Sequence, residues 1–222
     1  MEISINQLAD FFGSTPSVKR RILKQQINPS KVRVNWYQLS KSRIRKSLAL
    51  KGDLTPVLDG LKVLKNRTPK NKREESDKMV SIAALERYIN MNMSSVLKSI
   101  DYKQINAYQK ATKIHGINVI VAPDVVFKGV YEGREVLGAI KIHVVKGKPF
   151  DIQKSKIVAS LIYSYLQSEV ADGSAQVLPE LCLCIDIFGD RIVSATGVES
   201  ATHKDIEKVC EEIKVLWNEA LN

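Results

Sequence analysis

The chain of 222 residues carries only three cysteines and three histidines, and it has no long apolar run. Each shortage closes a class of protein. Three thiols do not make a disulfide framework, and Cys182 and Cys184, two apart in an apparent strand, have no further Cys or His at zinc-ligand spacing. They read as buried thiols. No stretch approaches the roughly 20 apolar residues that cross a bilayer. The opening MEISINQLADFF has neither the basic start nor the apolar centre of a secretory leader. The expected setting is the cytosol, with no membrane partner.

What the chain has in quantity is positive charge, unevenly spread. Residues 1–116 hold 23 Lys and Arg against 9 Asp and Glu, whereas residues 117–222 hold 11 against 15. A basic half of this size suits a polyanion, and the phosphates of DNA or RNA are the most economical choice. The plainer alternative is a solvated basic face that keeps the protein soluble.

The opening segment reads as two short helices. Ile5, Leu8 and Phe12 share a face, Gly13 breaks the first helix, and Pro16 fits the first turn of the second. The pair resembles a helix-turn-helix, with Lys19, Arg20, Arg21 and Lys24 on the candidate recognition helix, although Lys19 falls where an apolar anchor belongs. A basic two-helix unit packed on the rest of the protein is the alternative. Residues 28–66 begin extended and turn helical. Trp36 and Tyr37 lie between Arg33 and Lys41, with Arg43, Arg45 and Lys46 following, an interleaving suited to stacking bases while holding phosphate. A core role for the aromatic pair is the competing reading.

The charged, proline-containing run at 65–78 reads as a linker between a basic helical region, 1–64, and an α/β core, 79–222. In that core the pattern predicts an amphipathic helix from Met79, a polar helical piece around 102–114, and strands over 117–127 and 134–145. A helix over 151–167, a central strand LCLCIDIF, a short return strand RIVSAT and a closing helix from Ala201 complete it. The expected fold class is α/β, a mixed sheet flanked by helices.

Within the core, the stretch 123-PDVVFKGVYEGREVLGAIKIHVV-145 sets Pro123-Asp124 on one strand and Ala139-Ile140-Lys141 on the next. With its helix–strand–strand–helix–strand setting over about residues 79–195, it resembles the PD-(D/E)XK nuclease superfamily, most like the RecB-type and restriction-endonuclease-like members. The resemblance implies a restriction-endonuclease-like core, with Asp124 and Lys141 as catalytic residues and a Mg²⁺ or Mn²⁺ ion held by two carboxylates. Ala139 stands where the second carboxylate belongs. Glu135 shares its face but lies six residues from Lys141, about 20 Å along an extended strand, too far to substitute. Glu86, Asp151 and Asp186 are the candidate replacements, Asp186 the preferred one as a metal ligand with Asp124; His143 is either a metal or phosphate contact or a strand-end surface residue. Gln153 occupies the element in which the RecB-type branch carries a glutamine, but Ile157 replaces the tyrosine that should follow.

The leading reading is a nucleic-acid-binding protein with a nuclease-like core and impaired catalysis. A mobile-element or antiphage subunit is the setting that fold-level analogy suggests. The alternatives are an active metal-dependent nuclease with a migrated carboxylate and, from a different class, a protein-interaction subunit that meets an acidic protein or a second copy of itself.

Overall fold

The computed structural model of the chain describes residues 1–28, 36–197 and 200–221. A short strand, β1 (Glu2–Ser4), runs directly into α1 (Ile5–Phe11), whose first turn is capped by the Ser4 hydroxyl accepting from the Gln7 N–H. Gly13, at φ +68°, turns the chain into α2 (Pro16–Ile27), which starts on proline. Three helices follow: α3 (Gln38–Ala49), α4 (Thr55–Asn66) and α5 (Lys72–Asn90). They pack on one another closely. At Gly60 of α4 an added Cβ would lie 2.8 Å from Arg43 Cγ, so the small residue sets the α3–α4 separation.

After a short α6 (Ser95–Ser99) come β2 (Asp101–Ile105), β3 (Ala111–Ile114), β4 (Ile117–Ile120), β5 (Val125–Tyr131) and β6 (Arg134–His143). Helix α7 (Ile152–Tyr165) continues through a π-helical turn (Leu166–Val170) to β7 (Gln176–Asp186), β8 (Arg191–Ser194) and α8 (Ser200–Leu221). Two sheets result. The larger has the order β2-β5-β6-β7-β8, antiparallel throughout except that β7 runs parallel to β6 after the α7 crossover. The smaller has the order β1-β4-β3. This is the mixed, helix-flanked α/β arrangement that the pattern predicts, and no described helix is long and apolar enough to cross a membrane.

Strand β6 lies at the centre and is buried from Val136 to His143. One face, with Ile140 and Ile142, joins Leu183 and Ile185 in a core against Ile44, Leu61, Leu85 and Tyr88 of α3, α4 and α5. The other face, with Ala139, joins Cys182 and Cys184 in a core against Ile157 and Leu161 of α7. Helices on both faces explain why β7 reads as a continuous apolar run. Gly138 is required where β6 is most crowded, because a Cβ there would meet Phe127 Cζ at 2.5 Å and Leu181 Cβ at 2.7 Å.

Four expectations change. The run 65–78 is not a linker: its ends belong to α4 and to the first two turns of α5, which Asn71 caps through the Glu74 N–H and which Glu74 and Glu75 suit electrostatically. The charge that looked like a solvated connector is the exposed side of a helix. Nor do residues 1–64 stand apart from the sheet. Strand β1 pairs in parallel with β4, and Ile3, Leu8, Phe11 and Leu23 share one core with Val119, Ile157 and Ile213. The segment 102–114 supplies strands β2 and β3 rather than a helix, since pairing with β5 and β4 outweighs its weak local pattern. Finally, 117–127 is two strands in two different sheets. The chain turns at Ala122, φ +38°, where the Val121 and Ala122 N–H groups both donate to the Lys110 carbonyl at 2.9 Å.

Candidate functional site

The turn at 121–124 brings Asp124 to the start of β5, beside the middle of β6. Its backbone N–H donates to the Ile140 carbonyl at 2.8 Å, and its carboxylate accepts from the Ile142 N–H at 2.7 Å. The other carboxylate oxygen meets Lys41 Nζ, from α3, at 3.0 Å. Lys141 reaches the same turn from β6, but not to the carboxylate. Its Nζ donates to the carbonyl oxygens of Val121, at 2.8 Å, and Ala122, at 2.6 Å. Only 9% of the residue is exposed. Burial pushes the ammonium down to about 8, against the opposing pull of Asp124. Lys141 is therefore a clamp on a left-handed turn, with two of its three N–H donors spent on the backbone.

The supporting acids lie elsewhere. Ala139 is fully buried in the core under α7. Asp186 is fully buried as well, and its carboxylate closes the loops around it, accepting from the N–H groups of Phe150, of Phe188 at 3.1 Å and of Gly189 at 3.0 Å. That loop-closing role accounts for an acid at the end of an apolar strand. Glu86 is exposed on α5, on the opposite side of the sheet from Lys141, with Lys65 of α4 at 3.9 Å. Asp151 caps α7 through the Lys154 N–H at 2.8 Å. Among the described residues no three His, Cys, Asp or Glu side chains converge as a metal-holding group. The residues present do not fit the paired-carboxylate Mg²⁺ or Mn²⁺ site that the resemblance implies, and the expectation that Asp186 or Glu86 replaces the missing acid fails on their surroundings.

What the structure offers instead is a row of three cavities along α3, two of them lined by Asp124. The first, about 520 Å³, is lined by Asn6, Trp36, Tyr37, Lys41 and the successive residues Ile142, His143, Val144 and Val145. The second, about 270 Å³, lies between Asp124 and Gln38, Lys41, Ser42 and Arg45. The third, about 320 Å³, takes in Arg45, Asp124, Gln104, Asn106, Gln109 and Lys110. Lys41 is common to the first two, and Arg45 and Asp124 to the last two. Lys41 and Arg45 are one helical turn apart, so both project from the same side of α3. The result is a track of neighbouring cavities with cations at successive positions, polar around Asp124 and aromatic at the Trp36 end.

The remaining predicted contacts divide. Arg20, Arg21 and Lys24 are exposed on α2 and border a shallow depression with Ser17, Gln25 and Asn28. Lys19 does not join them: it turns inward to Glu212 of α8 at 2.7 Å and lies over the Phe11 ring, with Nζ 5.1 Å from its centroid. That contact holds α2 to α8 and corrects its place among the phosphate-binding candidates. Arg43 is half-buried against Gly60, while Lys46 and Gln153 are exposed but line none of the three cavities on the track. Arg33 lies outside the described residues.

Lys110 and the polar side chains of 104–109 were missed by sequence reasoning. A polar run carries no spacing signal, and only the pairing of β2 with β5 and of β3 with β4 delivers its connecting loop to Asp124. The chain matches no protein-family model, and no curated protein matches it.

Proposed function

We propose that this protein binds nucleic acid along the α3 track, on a nuclease-like sheet that no longer holds a catalytic metal. The observation that carries the reading is the pairing of two facts at one corner. Asp124 lies at the start of its strand beside Lys141, while Ala139 is sealed in the core and Lys141 is spent on two carbonyls. The order α5, β2, β5, β6, α7, β7, with three successive antiparallel strands and a parallel fourth, supports the PD-(D/E)XK likeness at the level of topology. The cations Lys41, Arg45 and Lys110 support the polyanion. They border a groove rather than a flat face, and Arg45 and Lys110 have no described acidic partner.

Binding of labelled single- and double-stranded DNA and RNA across a salt series tests this. Affinity should fall steeply with salt, and the double variant Arg45→Ala/Lys110→Ala should flatten the slope of log affinity against log salt by about 1.4–1.8 if both contact phosphate. A salt-insensitive affinity, or an unchanged slope in the double variant, refutes the track. The protein should not cleave DNA or RNA with Mg²⁺ or Mn²⁺; robust cleavage lost in Asp124→Asn would overturn the inactive reading.

A further inference from the structure

The first cavity on the track differs from the other two in chemistry. Its walls include two aromatic side chains, and Tyr37 is fixed from three sides. Its N–H donates to Asp77 at 2.9 Å, its hydroxyl accepts from the Lys146 N–H at 3.2 Å, and its ring lies 6.0 Å from that of Phe188. Trp36 beside it is 37% exposed. The polar lining is unusual in a second way. His143 is 5% exposed, and among the described residues neither its Nδ1 nor the buried Oδ1 of Asn6 has a partner. Buried polar atoms without partners are rare in folded proteins and each calls for a reason.

The tautomer of His143 follows from its other nitrogen. Nε2 lies 2.9 Å from the Lys148 carbonyl oxygen, which can only accept, so Nε2 carries the proton and Nδ1 presents a lone pair. The ring is held in that pose by Phe150, stacked at 3.7 Å and 13°. Burial pushes the imidazolium down, which keeps the ring neutral. Asn6 Oδ1 is likewise an acceptor. Two acceptors without a described partner, on residues that line one cavity but covered from solvent so that a ligand meets them only as the lining side chains part, lie beside aromatic walls and a lysine and are complementary to a flat ring that carries hydrogen-bond donors and an anion.

We infer that this cavity receives a single amino-bearing nucleobase, adenine, cytosine or guanine, which stacks on Trp36, donates its amino hydrogens to His143 Nδ1 and Asn6 Oδ1, and extends its phosphate to Lys41. The inference rests on the nucleic-acid reading above and sharpens it: the track holds the backbone, and one base leaves the stack to enter the aromatic end. Aromatic stacking tolerates any base, so the paired acceptors supply the discrimination. Uracil, with one ring N–H flanked by carbonyls, offers fewer donors to the pair.

The test uses the full chain with Trp217→Phe, which leaves Trp36 as the sole tryptophan. Its fluorescence is titrated with AMP, CMP, GMP, UMP and ribose 5-phosphate. The three amino-bearing nucleotides should change the signal with UMP about tenfold weaker, and ribose 5-phosphate should leave it unchanged. Asn6→Ala and His143→Phe should each narrow the preference over UMP; Asn6→Ala alters only a half-buried side chain, so it remains informative where the buried His143 variant unfolds. In the full wild-type chain, Trp36→Ala should weaken binding of single-stranded oligonucleotides about tenfold.

Equal response to UMP overturns the role of the two acceptors, and no response to any mononucleotide overturns the pocket. Salt-dependent oligonucleotide binding with a silent Trp36 leaves the track standing without the base site. Mononucleotide binding without oligonucleotide binding does the reverse.

Discussion

Replacing Lys141 with methionine separates a structural clamp from a phosphate contact. The substitution removes two charge-assisted hydrogen bonds, to Val121 and Ala122, each worth about 1.5–3 kcal/mol. It also removes the cost of burying an ammonium. The descent from 10.5 to about 8 corresponds, at about 1.4 kcal/mol per pH unit, to about 3 kcal/mol. The two effects oppose each other, so the expected net loss at pH 7 is about 0–3 kcal/mol, and the informative quantity is its pH dependence.

Below pH 8 the lysine is charged in both folded and unfolded chains, and the burial cost is fully present. Between 8 and 10.5 the unfolded chain binds more protons than the folded one, so stability rises with pH. Wild type should therefore gain about 1.4 kcal/mol per pH unit on Lys141→Met between roughly pH 8 and pH 10. Buried Cys184 and Cys210, raised to about 12 and about 11, act in the opposite direction as their unfolded thiols ionise. They are present in both proteins and cancel in the difference. Urea unfolding at pH 7, 8, 9 and 10 measures it. A difference that stays flat across that range would refute the buried, carbonyl-bound ammonium.

The remaining predictions concern the core and its acids. A fragment of residues 79–222 should be insoluble or lack a cooperative unfolding transition, because it loses β1 and the side chains Ile3, Leu8, Phe11 and Leu23 that complete the core under α7; a cooperative melt and dispersed amide spectrum would contradict this. Ala139→Glu, which supplies the second carboxylate that the PD-(D/E)XK resemblance would call for, should destabilise the fold by roughly 3 kcal/mol or more and create no Mg²⁺ site by calorimetric titration, since it places a charge in a sealed core; a stable, metal-binding variant would show that the corner can open. Asp186→Ala should cost roughly 3 kcal/mol or more in denaturant unfolding, because three backbone N–H groups lose their acceptor; a loss below 1 kcal/mol would mean that water replaces it.

Local pattern was legible wherever a single element could satisfy it. The closing helix α8, the central strand β7 with its buried thiols and the break at Gly13 follow from apolar spacing and glycine geometry, which act within a few residues. The segment 102–114 was not legible because its strands are defined by partners rather than by their own residues. The charged run before α5 misled for a related reason: a solvated helix face and a linker have the same composition, and the Asn71 cap is one residue among many.

At the site, the sequence by itself determined the inventory: Asp124, Lys141, Ala139 two residues before that lysine, and a surplus of cations in the first half. Alternation along β6 also assigned Ala139 and Lys141 to one face, because successive side chains on a strand point to opposite sides. Tertiary structure decided what that face meets. Helix α7 covers it, which seals Ala139 and turns Lys141 toward the carbonyls of residues 121 and 122. The same packing places α3 alongside Asp124, pairs Lys41 with its carboxylate, and moves Lys19 from the expected basic surface to Glu212. Charge and spacing are properties of the chain, whereas desolvation and partner choice depend on which elements pack together, and here those elements are separated by tens to hundreds of residues.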